Sequence, residues 1–125
     1  MKEKIKVLIA DDIYANQFLL AAIIDELGGM FKTVCNGKEV LDELEKNNYH
    51  IVLLDIEMPV MNGIETVKAI RNHKLEKINK LPVIALTAHN PDDFGKLMDN
   101  AGFNQLITKP YSVEKISELI KKIIL

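Results

Sequence analysis

Short apolar runs alternate with segments of helical hydrophobic spacing along this chain. The runs have the length and β-branched content typical of strands, and they span Ile5 to Ala10, Met30 to Val34, Ile51 to Leu54, Pro82 to Leu86 and Asn104 to Thr108. Between them, apolar residues recur with the i, i+3, i+4, i+7 spacing of an amphipathic helix, most clearly in Leu20, Ile23, Ile24 and Leu27, in Phe94, Leu97, Met98 and Ala101, and in Ile116, Leu119, Ile120 and Ile123. The pattern predicts strand and helix in alternation, five times over.

Turn and capping residues agree with these boundaries. Gly28 follows the first predicted helix and Gly102 the fourth, as C-terminal caps do, and Ser112 precedes the last helix. The charged connection from 72 to 81 is predicted to be a frayed helix end followed by a loop. Alternating strands and helices predict a doubly wound α/β fold, in which helices cover both faces of a parallel sheet. Strands that are apolar on both faces suit such a sheet.

Composition narrows the class of protein. A chain of 125 residues is predicted to form a single domain, residues 1–125, and its 48% apolar and 27% charged content is ordinary for a globular protein. A net charge of -2 gives no reason to expect binding to nucleic acid or to an anionic membrane. Cys35 is the only cysteine, which excludes an internal disulfide, and no apolar stretch is long enough to span a bilayer. We therefore expect a soluble, cytoplasmic protein.

Polar residues end four of the five predicted strands. Ligands of open α/β sheets bind beyond the carboxyl ends of the strands, and here those ends carry Asp11 and Asp12, Asp55, Thr87, and Lys109. Each residue alone has an ordinary explanation, since aspartates cap helices or form turns and a lysine is usually a solvated surface charge. Their convergence on one edge predicts a single site.

The charges of that site favour a divalent cation. Two carboxylates about 4 Å apart repel by ~4 kcal/mol at an effective dielectric constant near 20, and Lys109 offers one positive charge against three carboxylates. Oxygen ligands select a hard cation, with Mg2+ the first choice and Mn2+ or Ca2+ next. A carboxylate beside a metal, a lysine and a hydroxyl is suited to phosphoryl transfer through an aspartyl phosphate.

Four motifs in fixed order carry a family resemblance: LIADD at 8–12, LLDIEMPVMNG at 53–63, IALTA at 84–88 and ITKP at 107–110. Over essentially its full length the chain resembles the receiver domain of two-component response regulators, and in pattern most of all the receivers of hybrid sensor histidine kinases and phosphorelays. The resemblance implies a flavodoxin-like receiver fold, with sheet order 2-1-3-4-5 and five helices on both faces.

The resemblance also implies a role for each site residue. Asp55 would accept a phosphoryl group from a histidine kinase or histidine phosphotransfer domain. Mg2+ would be held by Asp12 and Asp55, by Asp11 largely through water, and by the backbone carbonyl of Glu57. Lys109 would bind the phosphoryl oxygens, and Thr87 would move to hydrogen-bond the phosphoryl group. The family likewise implies a cis bond between Lys109 and Pro110.

Some positions near the site leave alternatives open. Leu106 stands where the family usually carries an aromatic switch residue, so the chain lacks a ring or hydroxyl there. Glu57 and His89 either tune the phosphoryl lifetime or are exposed loop residues. Ile13, Tyr14 and Phe18 either belong to the core or help to dock a phosphodonor.

Three classes of function remain. The favoured class is a signalling switch that is a monomer or weak dimer, acts on an unknown protein target and is not a metabolic enzyme, although it catalyses its own Mg2+-dependent phosphorylation and dephosphorylation. A phosphohydrolase of haloacid-dehalogenase type is disfavoured because those enzymes place an aspartate two residues after the nucleophile, where this chain has Glu57. A flavodoxin-type nucleotide-binding module is disfavoured because the loop DDIYANQ (11–17) is acidic and lacks glycine.

Overall fold

The computed structural model describes residues 4–88, 100–110 and 112–124. Its strands are β1 (Lys6–Ala10), β2 (Met30–Val34), β3 (Ile51–Asp55), β4 (Val83–Thr87) and β5 (Gln105–Thr108). Its helices are α1 (Tyr14–Glu26), α2 (Gly37–Lys46), α3 (Gly63–Arg71), the short α4 (Glu76–Asn79) and α5 (Val113–Ile124). No helix in these ranges is long and apolar enough to cross a membrane.

The strands form one parallel sheet in the order β2-β1-β3-β4-β5. Every residue of β3 and β4 is buried, because these strands lie inside the sheet with helices on both sides. By contrast, the first residues of the edge strand β2 are exposed. The doubly wound fold and the sheet order implied by the family resemblance are confirmed.

Two apolar layers hold the helices against the sheet. On one face, Leu20 and Ile24 of α1 and Ile116 and Ile120 of α5 pack against alternate residues of the central strands. On the other face the layer is formed by α2, α3 and α4, through Val40, Leu44, Val67, Ile70 and Ile78. Full burial of each such side chain contributes about 1.5–3 kcal/mol, so the periodic apolar positions supply most of the driving force for this arrangement.

The loop after β3 is fixed by a close backbone approach. The amide of Gly63 donates to the carbonyl oxygen of Ile56 at 2.8 Å, and a Cβ atom at Gly63 would lie 2.5 Å from the carbonyl oxygen of Asp55. Next to it, Asn62 caps α3 in a reciprocal capping box with Glu65. Glycine is therefore required at 63 to bring α3 against the end of β3, which fixes the main chain at Asp55.

Several predicted boundaries are confirmed and one is wrong. Gly28 (φ 81°) and Gly102 (φ 114°) have the left-handed conformation of helix C-terminal caps, and the Ser112 hydroxyl accepts from the amide of Lys115 at 3.1 Å. The connection from 72 to 81 was predicted without a second helix, but it contains α4, which is too short to show an apolar ladder. In the predicted fourth helix, Asn100 and Ala101 are helical, while Phe94, Leu97 and Met98 lie outside the described residues.

Candidate functional site

The carboxyl edge of the sheet gathers the polar ends of four strands. Ala10 pairs with Leu54 in the register of β1 and β3, so the next residues, Asp11 and Asp55, lie side by side. Asp55 and Thr87 are the last residues of β3 and β4, and Lys109 follows β5 directly. Because parallel strands all end at the same edge of the sheet, the topology alone places these side chains close together at that edge.

Asp11, Asp12 and Asp55 form an acidic cluster. One carboxylate oxygen from each residue lies within 4.8 Å of the other two. Asp11 and Asp55 are buried, whereas Asp12 is exposed to solvent. The cluster therefore presents carboxylate oxygens around one point with an open side, which is the geometry that a partly hydrated divalent cation requires.

Lys109 points its ammonium group into the acidic cluster. Its Nζ atom lies 3.4 Å from Asp55 Oδ1 and 3.6 Å from Asp11 Oδ2. The main chain of Lys109 is held in turn, because its amide donates to the carbonyl oxygen of Thr87 at 2.7 Å. The peptide bond between Lys109 and Pro110 is cis, as the family resemblance implied.

The acidic cluster holds more negative charge than Lys109 neutralises. Burial, and after it the nearby charge of Asp11, together raise the pKa of Asp55 from 3.8 to about 6, although Lys109 acts in the opposite direction. Three carboxylates thus face the single ammonium group of Lys109. A second cation would stabilise the ionised form of Asp55.

The hydrogen bonds of Asp11 leave one of its oxygens available to a cation. Asp11 Oδ1 accepts from the amide of Ile13 at 2.9 Å. Buried Oδ2 accepts no hydrogen bond from the described residues and has the Lys109 ammonium 3.6 Å away. Ile13 is the N-cap residue of α1 and no side chain caps the helix, so neither Asp11 nor Asp12 serves as its N-terminal cap. The oxygen donors of the acidic cluster fit Mg2+ in type and in charge.

Glu57 and Thr87 adjoin the acidic cluster in different ways. Glu57 is exposed, and its amide donates to Asp55 Oδ1 at 3.4 Å. Thr87 is buried, and it pairs with Thr108 in the register of β4 and β5. His89, which the sequence also placed near the site, lies outside the described residues.

Gln17 belongs to the surroundings of the site and was missed in the sequence. This α1 residue is only 7% exposed, and its Nε2 atom donates to the carbonyl oxygen of Asp11 at 2.6 Å. A signal was available, because Gln17 lies three and seven residues before Leu20 and Ile24, on the apolar face of α1. A polar residue on that face must find a partner inside the protein.

Leu106 occupies the position of the missing aromatic side chain. It is partly buried and packs beside Ile56 and Ala85, together with Ile64 and Phe103. Leu106 is thus part of a small apolar cluster under the carboxyl edge, between β5 and the loop after β3.

The residues that open α1 are not part of the core. Tyr14 is 78% exposed, Phe18 is 80% exposed, and Ile13 is also exposed. A shallow groove of about 580 Å³ runs along Tyr14 and Phe18 to Phe31 of the edge strand. The alternative that Ile13, Tyr14 and Phe18 are core residues is therefore wrong.

The fold and the acidic cluster define a class of protein: a doubly wound α/β domain with a cluster of carboxylates, suited to binding a cation, at the carboxyl edge of its sheet. The family comparison makes this specific, because the model of the response regulator receiver domain matches residues 7–121. The chain belongs to this family, whose members are signalling switches of two-component systems rather than metabolic enzymes. The family match does not favour the phosphohydrolase alternative.

Individual relatives agree with the family match. The chain is 32% identical over 122 residues to hybrid signal transduction histidine kinase K of Dictyostelium discoideum, covering 94% of this chain and 10% of the kinase. It is 29% identical over 123 residues to two-component response regulator 24 of Arabidopsis thaliana, covering 98% of this chain and 86% of that protein. The chain thus spans about a tenth of the hybrid kinase and most of the plant regulator.

A solved structure shows the same architecture. The receiver domain of sensor histidine kinase PA1611 from Pseudomonas aeruginosa PAO1 superposes with a TM-score of 0.89, at 25% sequence identity, covering 98% of each chain. That structure is described as having a magnesium ion coordinated in its active site cleft.

Proposed function

We propose that this receiver domain is a phosphorylatable switch in which Asp55 accepts a phosphoryl group from a phosphohistidine of a histidine kinase or phosphotransfer domain. One observation carries the proposal: Lys109 Nζ lies 3.4 Å from Asp55 Oδ1, inside a cluster of three carboxylates. A nucleophile, a fixed positive charge and oxygen ligands for a second cation are what phosphoryl transfer to a carboxylate needs.

The chemical step is an in-line displacement at phosphorus. A carboxylate oxygen of Asp55 forms the new P–O bond while the P–N bond of the phosphohistidine breaks, and the bonding electron pair remains on the imidazole nitrogen. Asp55 must be ionised to attack, and a pKa of about 6 leaves it predominantly ionised above neutral pH. The product is an acyl phosphate on the carboxyl edge of the sheet.

The acidic cluster would hold Mg2+ during this step. Asp12 and Asp55 would supply carboxylate ligands, Asp11 would act largely through water, and the backbone carbonyl of Glu57 would complete the set. When bound, Mg2+ neutralises charge on the carboxylates and on the phosphoryl oxygens. The carboxylate oxygens within 4.8 Å of one another and the hydrogen-bond-free Oδ2 of Asp11 support this assignment.

Lys109 and Thr87 then stabilise the phosphorylated state. The Lys109 ammonium binds a phosphoryl oxygen, exchanging its ion pair with Asp55 for one with the phosphoryl group. Thr87 moves to donate its hydroxyl hydrogen to the phosphoryl group, and the hydrogen bond from the Lys109 amide to the Thr87 carbonyl transmits this movement to β5. Leu106, rather than an aromatic residue, repacks beneath the carboxyl edge.

The start of α1 is the proposed docking face for the phosphodonor. Ile13 and Tyr14 follow the acidic cluster directly in sequence, and Phe18 lies one helical turn beyond Tyr14. Large apolar side chains this exposed beside a reactive site mark a protein-binding surface. We assign the binding of a downstream protein target, whose identity is unknown, to the surface formed by β5 and α5.

Incubation with acetyl phosphate and Mg2+, followed by intact mass spectrometry, tests the proposal. The expected result is one added phosphoryl group in the wild type, and none in the presence of a chelator or in Asp55→Asn. Asp42→Asn, which removes an exposed carboxylate of α2, is the matched control and should be labelled like the wild type. Labelling that persists in Asp55→Asn would overturn the assignment of the acceptor.

A further inference from the structure

Gln17 makes a polar contact, from inside the protein, with the loop that carries Asp11 and Asp12 of the acidic cluster. Its Nε2 atom donates to the carbonyl oxygen of Asp11 at 2.6 Å and lies 3.4 Å from the carbonyl oxygen of Val34. The same nitrogen lies 3.6 Å from Cys35 Sγ. The side-chain amide therefore joins α1 to the residues that follow β1 and end β2.

This contact lies just beyond the regular pairing of the two strands. The register of β1 and β2 ends at Ala10 and Val34, and one more backbone hydrogen bond follows, from the amide of Asp11 to the carbonyl oxygen of Val34 at 3.1 Å. Gln17 then fixes the carbonyl group of Asp11. Both main-chain polar groups of Asp11 are thus held before the chain turns into α1.

The peptide group that Gln17 holds links two members of the acidic cluster. The carbonyl of Asp11 belongs to the peptide bond between Asp11 and Asp12, so its orientation sets the direction in which both side chains leave the main chain. Asp11 Oδ1 is fixed separately by the amide of Ile13 at 2.9 Å. The N-cap residue of α1, Ile13, makes no side-chain capping hydrogen bond that could hold this turn from the helix side.

We infer that Gln17 is a positioning residue for the divalent-cation site, because its side-chain amide fixes the peptide group from which Asp11 and Asp12 project. The inference rests on the proposed function, in which this site binds Mg2+. Groups that hold metal ligands in place typically change metal affinity by about 10–100-fold when they are removed. Gln17 contributes through preorganisation, since without it the loop must be ordered when the ion binds.

Calorimetric titration of Mg2+ into the wild type and into Gln17→Met tests this role. Methionine has a similar length and suits a buried site, but it has no donor hydrogen. The control is Ile24→Val, which removes a buried methyl group from the same face of α1 without touching Asp11. We expect the Kd for Mg2+ to rise about 10-fold in Gln17→Met and to stay within twofold of the wild type in Ile24→Val.

The melting temperature without Mg2+ separates the positioning role from a structural one. Both variants should melt below the wild type, but the Mg2+-induced rise in melting temperature should shrink only in Gln17→Met. A Gln17→Met protein that is less stable yet binds Mg2+ with wild-type Kd would overturn the inference. If Gln17→Met does not fold, the same titration is made with Gln17→Asn. The asparagine side chain is one methylene shorter, so its amide cannot reach the Asp11 carbonyl, and the same rise in Kd is expected. A wild type that fails to bind Mg2+ would instead overturn the proposed metal site, and the inference with it.

Discussion

Lys109 Nζ lies 3.4 Å from Asp55 Oδ1 and is shared with Asp11, whose Oδ2 atom is 3.6 Å away. One ammonium group thus lies between two buried carboxylates. Its ion pairs hold the two side chains together. In the proposed reaction, the same ammonium group would exchange its ion pair with Asp55 for one with a phosphoryl oxygen.

Lys109→Met should slow phosphorylation without removing the acceptor. The variant loses a fixed positive charge at the place where phosphoryl charge develops, which typically costs about 100-fold or more in rate. Intact mass spectrometry over time with acetyl phosphate and Mg2+ measures this rate. Lys115→Met, which removes an exposed lysine of α5, should label at the wild-type rate. Equal labelling rates in Lys109→Met and the wild type would remove Lys109 from the mechanism.

Asp55→Asn should stabilise the metal-free protein at neutral pH. The pKa of Asp55 is about 6 in the folded protein against 3.8 when unperturbed, so the folded state binds the proton more tightly than the unfolded state. The contribution of Asp55 to the free energy of unfolding is therefore largest below about pH 4 and is lost as pH rises to about 6, by up to about 3 kcal/mol. Asparagine does not titrate and avoids this loss.

Urea unfolding at pH 4 and at pH 7.5, with a chelator present, measures the pH effect. The advantage of Asp55→Asn over the wild type should increase between the two pH values. An advantage that is the same at both, or that decreases, would show that burial and Asp11 do not raise the pKa of Asp55. Asp42→Asn should show no comparable change.

The sequence predicted the sheet and its polar edge because these follow from local patterns. Apolar runs such as Ile51 to Leu54 and the glycines that end helices carry information within a few residues, and parallel topology then places the strand ends together. The sequence alone therefore places Asp11, Asp55 and Lys109 at one edge of the sheet. Their burial, and the resulting pKa of Asp55, depend on packing between distant segments.

Arg71 shows what the sequence could not predict. At the end of α3 its guanidinium donates to the carbonyl oxygens of Gly102, Asn79 and Leu81 and to Asn104 Oδ1, at 2.7–2.9 Å. In the sequence it is one of many surface-type charges, because its acceptors are 8 to 33 residues away. For Gln17 the sequence shows a polar residue on the apolar face of α1, but not its partners, because Asp11 and Val34 belong to two different strand ends.

Arg71→Lys should destabilise the fold although it keeps the charge. An ammonium group cannot reach four acceptors spread over two separate segments, so carbonyl groups near the amino ends of β4 and β5 lose their partners, at a cost of about 2–3 kcal/mol. Urea unfolding measures this loss. Lys68→Ala, an exposed change on the same helix, is the control and should remain within about 0.5 kcal/mol of the wild type. An Arg71→Lys protein as stable as the wild type would show that these hydrogen bonds contribute nothing net.

Val60→Asn should stabilise the protein. Val60 is 80% exposed and has φ 68°, a left-handed conformation that is costly for a β-branched residue and tolerated by asparagine. We expect a gain of about 1 kcal/mol in the free energy of unfolding. Val60→Ala keeps most of the left-handed penalty and is the control. Equal stability of Val60→Asn and Val60→Ala would argue against strain at this position.

The location of the phosphoryl group tests the central claim most directly. Protein labelled with acetyl phosphate and Mg2+ is treated with borohydride, which reduces an aspartyl phosphate to homoserine, and its peptides are then sequenced by mass spectrometry. We predict homoserine at position 55 of the wild type, and none in Asp55→Asn or in unlabelled protein. Homoserine at position 11 or 12, with an unmodified aspartate at 55, would contradict the claim that Asp55 is the acceptor.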